Sequence, residues 1–373
     1  MLSAGEASGD VHGAALCRAL RTLEPAVELS GLGGPRMAAA GMRVIADVTD
    51  AATIGTSEVL GRLPRIVAAY RTLARALRER RPSVLVLVDF PEFNLRLART
   101  ARRHGIGVVY FIPPQIWAWR GHRIHAIRSR VTLVLSIFPF EAALYRSGGV
   151  PAEFVGHPVL DAVAAAPDRV AARRQLGIEH DRLLVGLLPG SRTREIAATT
   201  PLLRDAAALI ARARPETRFA LGLAAGADRR AVTERLDGVV PIEVLSDRTY
   251  VLMRAADLLV VTSGTATLEA ALLGTPMVVV YRASPLTILT GRLLLRVPWI
   301  SLVNLTLGRG VVPEIWNDVT PATIAAAVLR LLASEESIAG QQAAFVELAG
   351  QLGTAGVAER AAKFVLAAAG RSA

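Results

Sequence analysis

VLVLVDFPEFN, residues 84–94, is the stretch that decides the fold. Val84–Val88 is an unbroken apolar run, too short for a helix and without the alternation of a half-exposed strand. Such a run reads as a strand buried on both faces of a parallel sheet when helices flank it. The same signal recurs on both sides of it, at Val108–Ile112, Leu133–Ser136, Leu184–Leu188, Phe219–Leu223, Leu258–Val261 and Met277–Tyr281. Longer helical stretches lie between these runs. The pattern is βαβ throughout, hence an α/β chain with parallel sheets. Only Met1–Ala4 precede Gly5, so the first strand is short here or the natural start lies upstream.

The repeat pauses near residues 156–182. Gly156-His157-Pro158 closes one set of βα units, a helix rich in Ala and Arg follows, and a fresh strand opens at Leu183. From Pro321 onward the chain is alanine-rich and helical. The expected division is residues 1–160, 161–335 and a helical segment 336–373. Two doubly wound domains facing each other make a cleft, the usual ligand position.

Composition narrows the function classes. Of 373 residues, 52% are hydrophobic and 20% charged, which makes a folded protein with a sizeable core. One cysteine, Cys17, excludes an internal disulfide and fits a buried helix position. No apolar run reaches the roughly 18 residues of a spanning helix. The first residues carry neither a basic region nor an apolar one, so a cytoplasmic protein without a signal peptide is expected. The net charge is +11, nearly all of it arginine, since Lys363 is the only lysine. GC-rich coding explains the choice of arginine; the excess charge itself favours anionic partners. Nucleic acid is not expected, because no basic run interleaves with aromatics.

Four polar or glycine-rich segments each follow a strand directly: Gly5–Asp10, Asp89–Asn94, Pro189–Arg192 and Thr262–Thr267. In open α/β sheets ligands bind beyond the carboxyl ends of strands. Any one segment could be a plain βα turn; four, two in each half, converge on one cleft. In Pro189–Arg192, Gly190 lets backbone approach a ligand, Ser191 can cap the next helix, and the helix start can hold phosphate. Arg192 adds a fork of donors for a diphosphate, or is a surface arginine beside a capped turn. Ser263, Gly264 and Thr265 open a second such helix. Glu269, one turn on, suits ribose hydroxyls, or is a first-turn Glu favoured by the helix dipole. Asp89 can be a general base raised by partial burial, or an N-cap or turn residue. Glu6 and Asp10 are the competing carboxylates.

The run Pro113–Arg120 holds two tryptophans two residues apart beside an arginine; it is either an aromatic corner or a substrate surface. His122 and His125 read as surface residues. No Asp-x-Asp triplet and no His/Cys cluster occurs, so neither a metal nor a cofactor is expected, and helix N-termini with Arg192 would stabilise the leaving diphosphate. Ile54–Leu77 and Pro285–Leu307 mix apolar residues with arginines, as a lipid-facing element does and as an ordinary packed amphipathic element also does.

Together these residues resemble the lipid-A-disaccharide synthase family. The resemblance is carried by SAGEASGD (3–10), GPRM (34–37), SEVLGRLPR (57–65), DFPEFN (89–94), WAWR (117–120), FPFE (138–141), FVGHP (154–158), LLPGSR (187–192), TSGTATLE (262–269) and SLVNLTLGR (301–309), in order over most of the chain. It implies a GT-B fold: an acceptor-side, membrane-facing domain first and a UDP-sugar domain second. It implies an inverting glycosyltransferase that joins UDP-2,3-diacylglucosamine to 2,3-diacylglucosamine 1-phosphate (lipid X) at the cytoplasmic face of the inner membrane of a Gram-negative bacterium. The family's essential aspartate falls on Asp89, its phosphate-site arginine on Arg192 and an asparagine of its nucleotide region on Asn304. Glu6, Ser8, Asp10, Asn94, Trp119 and Arg120 are acceptor-side candidates. Gly190, Ser191, Arg192, Ser263, Gly264, Thr265, Glu269 and Asn304 are UDP-side candidates. A homodimer is compatible with this reading. The alternatives are a UDP-N-acetylglucosamine 2-epimerase-like enzyme and a non-catalytic nucleotide-sugar binder.

Overall fold

The computed structural model describes residues 1–48, 59–116, 123–179, 181–224, 226–238, 240–282 and 299–370, with backbone alone over 59–62. The chain forms two compact units. One is Met1–Pro158 with Leu352–Ala373, the other Val159–Gln351.

The first unit holds a seven-stranded parallel sheet in the order β3-β2-β1-β4-β5-β6-β7. Its strands are β1 (Leu2–Ala4), β2 (Ser30–Leu32), β3 (Arg43–Ala46), β4 (Val84–Val88), β5 (Gly107–Phe111), β6 (Leu133–Ser136) and β7 (Ala152–Phe154). The run that opened the sequence reading is the centre of this sheet: all five residues of β4 are buried. They pair with β1 on one side and β5 on the other. Helices α1 (Ala7–Leu23), α2 (Pro35–Ala39), α3 (Val59–Arg80), α4 (Pro91–Arg103), α5 (Arg123–Arg130) and α6 (Pro139–Ser147) connect the strands. Leu73 and Leu77 of α3, Leu97 of α4 and Leu85, Leu87 and Tyr110 of the sheet share one core. Cys17 is buried on α1, as expected, and burial pushes its thiol up to about 12.

The second unit begins with α7 (Val159–Val163) and α8 (Arg169–Gln175). It holds a six-stranded parallel sheet, β10-β9-β8-β11-β12-β13. The strands are β8 (Leu184–Leu188), β9 (Arg218–Leu223), β10 (Ile242–Ser246), β11 (Leu258–Thr262), β12 (Met277–Val280) and β13 (Glu314–Ile315), with α9 (Thr193–Ala213), α10 (Arg229–Leu236), α11 (Thr249–Ala255), α12 (Thr265–Leu272), α13 (Leu302–Leu307) and α14 (Pro321–Leu332). Val185, Leu187, Leu203, Val260 and Val278 form its core.

The helical C-terminus is three helices rather than one. After α14 come α15 (Glu335–Leu352) and α16 (Val357–Gly370), separated by a turn in which Gly353 and Gly356 both adopt positive φ. The segment 336–373 is therefore divided: α16 packs on α1 of the first unit and buries Val357, Ala361, Ala362 and Val365. Arg360 anchors it by donating to the Val155 carbonyl at 3.0 Å.

Strand order decides where ligands can go. Each sheet reverses its winding once, between β1 and β4 and between β8 and β11. At such switch points the following helices diverge and leave a crevice beyond the strand ends. Gly5–Asp10 follows β1, Asp89–Asn94 follows β4, Pro189–Arg192 follows β8 and Ser263–Thr267 follows β11. All four segments singled out in the sequence stand at the two switch points.

Candidate functional site

In the second unit, a cavity of about 770 Å³ opens beyond β8 and β11. Gly190, Ser191, Arg192, Ser263, Gly264, Thr265 and Glu269 all line it. Gly190 has φ +107, a backbone conformation that residues with a side chain rarely adopt, and a Cβ there would displace the Glu195 carboxylate. The cap of α9 differs from expectation. Arg192, not Ser191, occupies the N-cap position, and its backbone N–H donates to the Glu195 carboxylate at 3.3 Å. A carboxylate in the first turn satisfies the helix start more strongly than a hydroxyl. The Arg192 guanidinium bonds Glu195 at 2.6 Å, yet its side chain is 73% exposed.

Across the cavity, α12 starts at Gly264 with no capping side chain. The Ser263 hydroxyl donates to the Ile300 carbonyl at 2.7 Å, while Thr265 is exposed at the first helical position. Glu269 lies beyond the first turn, so the dipole does not explain it. Burial raises its carboxyl above the usual range, and the Tyr250 hydroxyl donates to Oε1 at 2.8 Å. One Glu269 oxygen is thereby fixed and the other is available to a ligand hydroxyl.

Two lining residues escaped the sequence reading, and Thr262 was read only as part of its segment. Tyr250 holds Glu269, Arg248 brings a second cation at the start of α11, and the Thr262 Oγ1 is buried without a partner among the described residues. An unpartnered buried hydroxyl costs stability and marks a place where a ligand can restore the bond. Only the Thr-Ser-Gly run hinted at Thr262; the β10–α11 turn, Asp247–Tyr250, carries no recognisable motif.

Asn304 does not line this cavity. It is 1% exposed. Its Nδ2 donates to the Val312 carbonyl and to Glu314, and its Oδ1 accepts from the Val311 and Val312 N–H groups. Glu314 also accepts from the N–H groups of Ile300 and Ser301. Asn304 thus braces the segment whose Ile300 carbonyl receives Ser263.

In the first unit, Asp89 ends β4 in a left-handed conformation (φ +49) and Phe90 repeats it (φ +50). Two consecutive non-glycine residues there cost of order 1–3 kcal/mol each. The N-cap of α4 is Phe90, without a side-chain cap bond, so capping does not account for Asp89. Burial raises the Asp89 carboxyl, opposed by a hydrogen bond from the Phe90 N–H.

The neighbouring candidates have separate tasks. Asp10 is 4% exposed, and its carboxylate accepts from the N–H groups of Gly34, Arg36 and Met37, which caps α2. Asn94 is fully buried. Its Nδ2 donates to the carbonyls of Asp89, Ser3 and Val88, and its Oδ1 accepts from the Ser3 hydroxyl. Glu6 is half-buried at the N-cap of α1 and Ser8 is exposed in its first turn. Trp119, Arg120 and His122 lie outside the described residues, as do 54–58 and 285–298 of the two lipid-facing candidate segments.

The rest of α3 divides in two. Leu63 and Val67 are exposed, and Arg65 lies beside them. Ala69, Leu73, Ala76 and Leu77 face the core in ordinary amphipathic packing. No helix among the described residues is long and apolar enough to cross a membrane.

The family model for lipid-A-disaccharide synthetase matches residues 1–368. The chain belongs to the lipid-A-disaccharide synthase family. It is 40% identical over 368 residues to the lipid-A-disaccharide synthase of Geobacter sulfurreducens, covering 98% of this chain and 96% of that one. It is 42% identical over 373 residues to that of Myxococcus xanthus, with the same coverage. Solved structures share the fold at low identity. Acinetobacter baumannii MurG gives a TM-score of 0.61 at 15% identity, covering 98% of each chain. The UDP-GlcNAc 2-epimerase of Neisseria meningitidis, bound to UDP-GlcNAc, gives 0.62 at 11%, again covering 98% of each. This member of the lipid-A-disaccharide synthase family is thus a glycosyltransferase of lipid A biosynthesis with a GT-B fold.

Proposed function

We propose that this glycosyltransferase moves 2,3-diacylglucosamine from UDP-2,3-diacylglucosamine to 2,3-diacylglucosamine 1-phosphate. The product is a β-1,6-linked disaccharide 1-phosphate, and UDP leaves. The observation that carries the reading is the family match over nearly the whole chain. The lining of the second unit's cavity supports it: one rim carries arginine and a helix start suited to a diphosphate, the other a held carboxylate suited to ribose. The acceptor's 6-hydroxyl attacks the anomeric carbon from the face opposite UDP, the bond to the diphosphate oxygen breaks, and the hydroxyl proton passes to Asp89. A strand-end carboxylate with a raised pKa suits that task. The epimerase alternative has only fold-level likeness in its favour.

The decisive measurement is mass spectrometry of the product formed from the two lipids. A tetraacylated disaccharide 1-phosphate with equimolar UDP is expected. Free sugar epimer, or UDP-sugar binding without turnover, would replace this reading with one of the alternatives.

The proposal includes peripheral attachment to the cytoplasmic face of the inner membrane. Leu63 and Val67 beside Arg65, in a chain of net charge +11, support it. Co-flotation with anionic vesicles is expected at low salt and weaker at about 0.5 M, where the Debye length is a few ångströms. Absence of flotation at both salts would remove this part.

A further inference from the structure

The pairing of β4 with β5 ends at Val88 opposite Phe111, so the Asp89 carbonyl lies beyond the ladder and has no strand partner. Two buried side chains take that place. The Tyr110 hydroxyl, from β5, donates to this oxygen at 2.8 Å, and Asn94 Nδ2, from α4, donates at 2.7 Å. Both residues are completely buried. A phenylalanine would fill the same core volume as Tyr110, so packing alone does not call for the hydroxyl. The peptide group that carries this carbonyl also carries the Phe90 N–H, and that N–H donates to the Asp89 carboxylate. A peptide plane turns as one body. Fixing its oxygen therefore fixes its N–H.

The far side of the turn is shaped to match. The Phe90 ring lies over Gly5, where a Cβ would meet it at 2.2 Å, and stacks on Phe93 with centroids 5.3 Å apart. The left-handed pair Asp89–Phe90 is held from both sides.

We propose that Tyr110, with Asn94, is a positioning residue for Asp89: by holding the Asp89 carbonyl it keeps the strained turn in place and the Phe90 N–H on the carboxylate. Neither residue touches substrate in this role. Without the Tyr110 hydroxyl only the Asn94 bond holds this oxygen, so the peptide can tilt toward a relaxed φ at Phe90 and the donor to the carboxylate is weakened. The inference rests on Asp89 being the base. Besides Asp89, the titratable and charged groups that act on Tyr110 are Tyr145 on α6, Arg123 on α5 and Glu92 on α4, the last two paired with each other.

The test is Tyr110→Phe, which keeps the ring. kcat is expected to fall about ten- to a hundredfold, the scale of a misplaced catalytic group. KM for both substrates and the affinity for UDP should stay within about twofold. The acidic limb of the kcat profile should move to higher pH, because a carboxylate that loses a donor holds its proton more tightly. A loss of thermal stability alone, with kcat and its acidic limb unchanged, would make Tyr110 a core residue and overturn the inference. Asp89→Asn run in parallel separates the two levels. If that variant turns over normally, the base assignment fails and this inference with it. If it is inactive while Tyr110→Phe is normal in rate and pH profile, only this inference fails.

Discussion

Asp89→Asn is expected to lower kcat by about 10²–10⁴-fold, the usual contribution of a general base. The amide keeps the shape of the carboxyl and its bond from the Phe90 N–H, but it cannot take a proton. UDP affinity is expected to be unchanged, because Asp89 is absent from the lining of the second unit's cavity. The same substitution carries a stability signature with a definite sign. Burial raises the folded-state pKa of Asp89. A carboxyl so raised supports folding in its protonated form, fully below the unfolded value near about 3.9, and that support is lost as pH rises through the folded value. Asparagine does not titrate. The melting temperature of the variant, relative to the parent, is therefore expected to rise as pH increases from 4 to 8. Steady-state kinetics, calorimetric titration with UDP and thermal scans at several pH values check all three. Near-normal turnover would transfer the role to Glu6, since three backbone N–H groups already occupy Asp10. A fall in UDP affinity would make Asp89 a structural residue.

Arg192→Ala is expected to weaken UDP binding by about 1.5–3 kcal/mol, the value of hydrogen bonds to a charged group, or about 10- to 150-fold in Kd. Arg192 pairs with Glu195 in this structure, an exposed pair of the kind worth only about 0–1 kcal/mol. Swinging from Glu195 to a diphosphate is therefore cheap. The partial exposure has a second consequence: the loss should shrink at high salt, where screening weakens the parent's own binding. Arg248 on the same cavity limits the effect, because one cation remains. Calorimetry with UDP at low and high salt gives the answer. Equal affinities of variant and parent would place the diphosphate away from the α9 start.

The two variants probe opposite kinds of legibility. The motif around Arg192 was readable because a phosphate cradle needs a strand end, a glycine and a helix start in immediate succession, all within ten residues. The pairing of Arg192 with Glu195 was not foreseen, because it depends on Arg192 rather than Ser191 taking the N-cap of α9. Similarly, Glu269 was legible by its spacing from Thr265, but Tyr250, 19 residues earlier, reaches it only because β11 lies beside β8 and brings α11 and α12 together. Asn304 shows the reverse case. Its place in a motif marked it, yet its amide is fully engaged in bracing the 311–314 turn.

Local sequence by itself determined the repeated strand-and-helix alternation, the parallel sheets and the four post-strand segments, because apolar runs and turn residues act over a few neighbouring positions. Strands with long buried runs were visible for this reason: Val84–Val88, Leu133–Ser136 and Leu184–Leu188 match their observed limits. The strands β2, β3, β7, β10 and β13 were not, since each carries too short an unbroken apolar run to stand out from a loop: β10 reads Ile-Glu-Val-Leu-Ser and β13 only Glu-Ile. Only the tertiary structure decided the strand order that places the four segments at switch points. It alone decided that α16 leaves the second unit's sequence neighbourhood to pack on α1. It alone aimed Tyr110 at the carbonyl of Asp89, a residue 21 positions away. Each of these depends on which surfaces meet after the chain has closed, and no pattern within a single element records that meeting.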